Sequence, residues 1–389
     1  MIFNRYMFLI LIIAFFGCNN ASKKEVKKLI SIDNDIYLPL PEIVEEPKDN
    51  ISNAEKIRLG KLLFYDPILS GNKDVACVTC HHPNFGYAEP LDISIGVNGV
   101  GLGLKRKFKN PDSVNFVKRN ANTILNTAYN GITIKGEYHA KNAPMFWDLR
   151  EKGLEAQALI PIQTLEEMRG AIIGEDEILD VIIARLQSTP EYVELFEKAF
   201  LSENTINKKN LAKAIAAFER SLITPNSRFD KYVQGDENAL SLAEKDGFNL
   251  FKKAKCNSCH SGPMFSDYKM HILSVDDNTK LDFLDTGIDS TYAFRTPSLR
   301  NLRYTAPYMH NGSLQDLQAV LEFYEDISNG NSKNVNVPVK NIDSLARQIQ
   351  IKVMDMSFII SFLNSLNSED FDKKIPENVP SGLTVGGDI

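Results

Sequence analysis

The sequence is poor in the residues that build most disulfide and metal sites. Its 389 residues include five cysteines, six histidines and a single tryptophan. Four of the cysteines, Cys77, Cys80, Cys256 and Cys259, fall in two Cys-x-x-Cys pairs, which leaves none for a long-range disulfide framework. Positive charge is also in deficit. The formal net charge of −6 gives no reason to expect nucleic acid or an anionic membrane surface as partner. A bilayer-spanning stretch is missing too, because the apolar run from Met7 to Phe16 is too short for a stable transmembrane helix. What remains is the composition of a globular protein, 43 % apolar and 24 % charged, in a chain long enough for two cores.

The N-terminus reads as an export signal over residues 1–17, with Arg5 ahead of the apolar run. The run ends in Phe15-Phe16-Gly17-Cys18, which resembles a bacterial lipobox. Cys18 would then be lipidated and become the mature N-terminus, although Phe15 stands where leucine is usual. Ordinary cleavage, with Cys18 in the discarded peptide, is the alternative. Residues 18–48 are charged and contain proline, and read as a tether. The expected location is the periplasm, lipid-anchored to a membrane.

A diverged repeat organises the rest. Ser52-Asn53-Ala54-Glu55-Lys56 and Ser241-Leu242-Ala243-Glu244-Lys245 both read as a serine N-cap with glutamate three residues on. Each opens an amphipathic helix, with Leu62-Leu63-Phe64 in one and Phe248, Leu250 and Phe251 in the other. Each helix leads into Cys-x-x-Cys-His, so two related domains are expected. Leu211, Ile215, Phe218 and Leu222 follow helical spacing. Thr224-Pro225-Asn226-Ser227 then breaks the pattern. The expected division is 49–223 and 224–370, followed by a loose tail, 371–389. Gly96 to Gly103 and Asp276 to Asp289 read as ordered loops, and a last helix runs from about Ile342 to Leu366. The fold class is mostly α, with two cytochrome c-like haem domains and long loops.

Cys77-Val78-Thr79-Cys80-His81 and Cys256-Asn257-Ser258-Cys259-His260 carry the chemistry. Two thiols at this spacing form thioethers to the haem vinyl groups, and the adjacent histidine coordinates the iron. Zinc would not require a histidine directly after the second cysteine. A thioredoxin-like motif would need a βαβ context, which is absent. Two covalently bound c-type haems are therefore expected, held by His81 and His260. His82 reads as a surface or propionate-side residue.

From about Ser52 to Leu366 the chain resembles the bacterial di-haem cytochrome c peroxidases, and in its details their MauG-like branch. The motifs that carry the resemblance are Leu63-Phe64-Tyr65-Asp66-Pro67, Arg119-Asn120-Ala121-Asn122-Thr123 and Phe146-Trp147-Asp148. Pro161-Ile162 followed by Glu167-Met168, Arg295 to Asn301, and Thr305 to Gly312 complete the set. The resemblance implies that Glu167 is the distal acid, Gln157 orients peroxide and water, and Pro161 shapes the pocket. On its own, Glu167 reads as an exposed helix carboxylate beside Glu166. Trp147 matches the residue that couples the haems; alone it reads as core. Typical members cap the first iron with a histidine in Ser-x-Gly-His, whereas this chain has Ser94-Ile95-Gly96-Val97. Val97 cannot bind iron, so the first haem is expected to be open, with His139 the only nearby competitor.

At the second haem the resemblance implies Tyr324 as sixth ligand, on a helix opening at Ser313 with Asp316 as cap partner. Periodicity alone makes Tyr324 a core residue. Met264, Met270 and His271 are the outside candidates. Asn120, Thr305 and Pro307 match an inter-domain calcium site of oxygen ligands. The implied activity is reduction of hydrogen peroxide by electrons from a small cytochrome c or cupredoxin. Two alternatives stand beside it. One is a MauG-like oxidation of residues in an unknown partner protein through high-valent haem. The other is a non-enzymatic di-haem electron carrier. The oligomeric state stays open, a homodimer among the options.

Overall fold

The computed structural model describes residues 31–32, 35–110 and 114–389. The export signal, Cys18 and residues 19–30, 33 and 34 of the expected tether lie outside the described residues. Among those described, seven helices of ten or more residues form the frame. They are α1 (Ala54–Tyr65), α2 (Ile178–Gln187), α3 (Pro190–Phe200), α4 (Lys208–Ser221), α5 (Leu242–Lys253), α6 (Leu317–Ser328) and α7 (Met356–Ser365). Strands are few and short. Met270–Ile272 pairs antiparallel with Ala293–Arg295, and two-residue pairings tie Gly99–Val100 to Lys107–Phe108 and Pro144–Met145 to Glu151–Lys152.

The repeat is present, but its two helix starts differ. At α5, the Ser241 side chain accepts from the Glu244 amide, and the Ser241 amide donates back to the Glu244 carboxylate at 2.8 Å. At α1 the cap is Asn53 rather than Ser52, its Oδ1 accepting from the Lys56 amide at 2.7 Å. Asparagine is at least as good a cap as serine, and the Ser52 amide is turned to Glu46 instead, at 3.1 Å.

The same close helix crossing occurs in both halves. A Cβ added to Gly60 of α1 would meet the Ala214 carbonyl oxygen of α4 at 1.9 Å and Phe218 Cβ at 2.9 Å. A Cβ on Gly247 of α5 would meet the Phe358 carbonyl oxygen of α7 at 1.9 Å and Phe362 Cβ at 3.0 Å. Only glycine lets the backbones come this close. One apolar core gathers Leu59, Leu63, Ile182, Phe196, Leu211 and Ile215 around α1 and α4. Another gathers Phe229, Phe248, Phe251, Phe265 and Phe362 around α5 and α7. The rings of Phe248, Phe251 and Phe265 lie 4.9, 5.1 and 5.8 Å from Phe362, at tilted or edge-to-face angles that aromatic quadrupoles favour.

Between the cores sits Thr224. Its hydroxyl accepts from Asn126 Nδ2 at 2.7 Å and Asn301 Nδ2 at 2.8 Å, and its amide donates to Asn126 Oδ1 at 2.7 Å.

The chain ends are exchanged between the halves, which corrects two expectations. Residues from Tyr37 onward are docked rather than tethering. The Tyr37 ring packs on Phe229 and Phe248 of the second core at 6.2 and 4.9 Å, and the Leu40 amide donates to Asp230 Oδ1 at 3.1 Å. Nor is the tail after 371 loose. Buried Asp66 accepts from the Ser381 amide and hydroxyl at 3.2 and 2.6 Å, and the Gly386 amide donates to the Tyr65 carbonyl at 2.8 Å. Glycines allow that last stretch to lie flat on the first half, where Thr79 Oγ1 donates to the Gly386 carbonyl at 3.0 Å.

Two helix expectations also change. The stretch 342–366 is not one helix. Ser344–Arg347 makes a single turn, and α7 starts only at Met356. Between them the Gln350 amide donates to the Ala254 carbonyl at 3.1 Å and Ile351 is buried, so the segment covers the end of α5. The helix carrying Tyr324 opens at Leu317, not Ser313. Asp316 is its cap, accepting from the Ala319 amide at 2.8 Å.

Candidate active site

Each Cys-x-x-Cys-His motif follows a core helix and forms a tight turn: Cys77–Cys80 as one helical turn, Cys256–Ser258 as a 3₁₀ turn. Lys255, in the left-handed region at φ 66°, redirects the chain from α5 into the second turn. None of the four thiols is in a disulfide, and burial pushes Cys77 and Cys256 up to about 12. His81 Nδ1 lies 3.1 Å from the Tyr87 carbonyl and His260 Nδ1 2.9 Å from the Phe265 carbonyl. Burial holds both imidazoles below their usual pKa. A neutral ring that donates through Nδ1 offers Nε2 as an acceptor, which an iron ligand needs. Behind the second loop, Arg300 donates to the Pro263 carbonyl at 2.6 Å and is held by buried Asp230 at 2.7 and 2.8 Å.

One cavity of about 710 Å³ joins the two motifs. All six motif residues line it: Cys77, Cys80, His81, Cys256, Cys259 and His260. So do Trp147, Gln157, Pro161 and Glu167, the trio Asn120, Thr305 and Pro307, and Tyr324. The residues singled out in the sequence are thus brought to one place from segments far apart. Free thiols and neutral histidines facing a shared cavity fit two covalently held haems.

Glu167 sits in a π-helical turn, Leu165–Arg169, in which the Gly170 amide reaches back to the Leu165 carbonyl at 3.0 Å. Such turns re-aim side chains and are frequent at functional sites. Glu167 is partly buried rather than an exposed helix carboxylate. Burial raises it to about 7, against the lowering pull of Arg150. Gln157 ends the short helix Leu154–Gln157, and Pro161 starts the next turn, Ile160–Gln163. Gln157 Oε1 is buried with no protein partner.

The loop 94–97 lies on the Glu167 turn. A Cβ on Gly96 would strike the Glu166 and Glu167 carbonyl oxygens at 2.2 and 2.4 Å, and the Val97 amide donates to the Glu166 carbonyl at 3.3 Å. Val97 itself is fully buried in the first core and is not part of the cavity wall. His139 is remote, its side chain 80 % exposed beside Glu45. His82 is buried, not at the surface, and caps the turn Pro83–Phe85 by accepting from the Asn84 amide at 3.2 Å.

At the second motif, Tyr324 packs beside Cys256 and Leu317, and burial pushes its phenol upward. His271 also lines the cavity, but its Nε2 is 3.1 Å from Asp267 and its Nδ1 2.7 Å from Asp343. Asp267 foremost raises it to about 11. A doubly engaged imidazolium has no lone pair for iron or zinc. Met264 is buried and lines the cavity, whereas Met270 does not.

Trp147 lines the cavity that both motifs share, its Nε1 donating to the Asn120 carbonyl at 3.1 Å. Two neighbours were not singled out by the sequence. His310 is edge-on to Trp147 at 6.4 Å and stacked on Phe294 at 3.6 Å, and burial lowers it to about 3. Its signal was the motif Tyr308 to Gly312, read only as a match. Glu219 of α4 lines the cavity near Cys77, is buried with Oε2 unpartnered, and is raised by burial to about 8. Nothing in helical spacing sets it apart. Arg119 locks the loops around Trp147, bound to Asp285 at 2.5 and 2.9 Å and to Asp148 at 2.7 Å.

Relatives support what the cavity suggests. MauG of Methylorubrum extorquens is 32 % identical over 87 % of this chain and 85 % of its own length. Cytochrome c551 peroxidase of Nitrosomonas europaea is 32 % identical over 85 % of each. The chain belongs to the di-haem cytochrome c peroxidase family. Residues 54–238 match the profile of that family, described as di-haem cytochrome c peroxidase. A crystal structure of a MauG-like protein associated with microbial copper homeostasis superposes with a TM-score of 0.65 at 27 % identity, covering 87 % of this chain and 95 % of that one. The diheme peroxidase BthA of Burkholderia thailandensis shares the fold, with a TM-score of 0.63 at 19 % identity over 91 % and 96 %. As a family member the protein is a peroxidase-type oxidoreductase whose family carries two c-type haems.

Proposed function

We propose that the protein reduces hydrogen peroxide to water with electrons from a small cytochrome c or cupredoxin. The observation that carries this reading is a titratable acid on the cavity wall near the first motif, next to a loop whose Val97 does not reach the cavity. Glu167 lines the cavity close enough to Cys77 and Cys80 to affect both thiols, while Val97 is turned into the core. Cys77 and Cys80 with His81, and Cys256 and Cys259 with His260, would hold the two haems, whose iron would supply the redox chemistry.

The remaining work belongs to the side chains. Glu167, poised near neutrality at about 7, takes a proton from the near oxygen of peroxide and returns it to the leaving oxygen. Two electrons and two protons turn one peroxide into two waters. Gln157 Oε1 accepts from peroxide or water, which would satisfy an atom the protein leaves without a partner. Pro161 fixes the turn that sets Gln157 and Glu167 apart. Trp147, on the wall of the cavity that both motifs share, is the coupling residue. The division into haem domains falls near Thr224, at 49–223 and 224–370. Asn120 Nδ2 donates to the Leu91 carbonyl at 2.9 Å, which leaves Oδ1 to join oxygens of Thr305 and Pro307 around a calcium ion. The protein acts in the periplasm, lipid-anchored through Cys18.

A second reading keeps the haems and changes the substrate: oxidation of a partner protein, in the manner of MauG. It is favoured by Tyr324, which lines the cavity beside the second motif. Cation charge at the iron would favour its phenolate against burial.

Electron paramagnetic resonance of the ferric protein tests the open side. One high-spin and one low-spin signal, both lost on adding peroxide, are expected. Two low-spin signals would overturn it and favour a simple electron carrier. Steady-state peroxide consumption with a reduced cytochrome separates the two enzymatic readings, and Tyr324→Phe and Tyr324→Met should change only the low-spin signal.

A further inference from the structure

The wall between the cavity and the outside is one residue thick at the second motif. Lys255, Ile349 and Ile351 line the central cavity on one side and an outer groove on the other. Asn329, Arg347 and Gln348 complete that groove, and the Gln350–Ala254 hydrogen bond pins its floor to the end of α5. A redox group bound at Cys256 and Cys259 would approach solvent here, with Lys255, Ile349 and Ile351 shared between the cavity and the groove.

The rim of this groove is basic. Lys253, Lys255, Arg347 and Lys352 are all exposed. Among the described residues none of the four is in a salt bridge. Of the acids on the flanking segments, Glu325 and Asp355 are partly buried and Glu325 accepts from Asn329 Nδ2 at 3.0 Å, while exposed Glu322 accepts from Gln318 Nε2 at 2.9 Å and Asp326 pairs with Lys333. Next to the cations, Val353 and Met354 are 69 % and 74 % exposed. Four unpaired cations beside two bare apolar side chains, on a chain of net charge −6, form a local patch opposite in sign to the whole.

We infer that this face is where electrons enter, and that its partner is a small redox protein with an acidic surface around its own cofactor edge. The proposal rests on the peroxidase reading and adds the docking site and the sign of the donor. Cations at a rim raise the encounter rate with an acidic partner and are screened by salt. The apolar pair supplies the dry contact at the centre.

The test measures peroxide reduction with three reductants: an acidic cupredoxin such as a plastocyanin, a basic cytochrome c, and a small uncharged dye. The acidic donor should have the higher kcat/KM and lose about tenfold between low and high salt. Lys253→Glu with Lys352→Glu should lower its kcat/KM by about tenfold, mainly through KM, and raise that of the basic donor. The dye rate should change by less than about twofold. Dye turnover with no dependence on donor charge or on the reversals, or with preference for the basic donor, overturns the proposal alone. No turnover even with the dye overturns the peroxidase reading, and the proposal with it.

Discussion

Burial and Arg150 act on Glu167 in opposite senses, and burial prevails. The side chain is therefore part protonated near neutral pH, the condition for taking and returning one proton. Glu167→Gln should lower the rate of reaction with peroxide by about 10²–10⁴-fold, read by stopped-flow absorbance, with haem content unchanged. Glu219 gives a separate, thermodynamic signature. Its ordinary value is 4.5, and burial takes it to about 8. Between these values the unfolded chain has released a proton that the folded chain still holds. The stability it confers is full below about pH 4.5 and declines as pH rises toward 8. Glu219→Gln should flatten the fall in unfolding midpoint between about pH 5 and 8; an unchanged slope would contradict the assignment. His81 and His260 were legible in the sequence because their neighbours spell a motif. Glu219 was not, because one glutamate on a helix looks the same whether it faces solvent or a cavity.

At the scale of elements, the two halves are built on one contact, a glycine under a carbonyl. Gly60→Ala and Gly247→Ala should each destabilise by about 3 kcal/mol, since the clash is with backbone that cannot swing aside. Denaturant titration would read this out, and equal effects at both sites would mark them as equivalent. The caps give a finer comparison. Asn53→Ala should cost about 1 kcal/mol and Ser52→Ala less than about 0.5. The helices themselves were readable from apolar spacing. Their crossings were not, because Gly60 and Ala214, or Gly247 and Phe358, are far apart in sequence and no local pattern announces the pairing. The break before Met356 escaped for the same reason: Ile351 serves α5, not its own helix.

For the whole molecule, the exchanged ends matter most. Tyr37 joins the second core and Leu40 a smaller cluster with Tyr129, Ile132 and Met264, while Ser381 to Asp388 cover the first core. Proline- and glycine-rich composition suggested a loose tail, but the tail binds through its backbone and through Asp66, features that composition does not record. Removing residues 379–389 should lower the unfolding midpoint and speed proteolytic cleavage in the first half. An unchanged midpoint would show that the strap is dispensable.

That strap sets a schedule. Thr79, inside the first Cys-x-x-Cys-His turn, bonds Gly386 at a sequence separation of 307, so that turn cannot be sealed until residue 386 has arrived. Contacts of such separation also form late, because loop closure must come first. The first Cys-x-x-Cys-His turn, though early in the chain, closes late. Until residue 386 docks, Cys77 and Cys80 lack that cover.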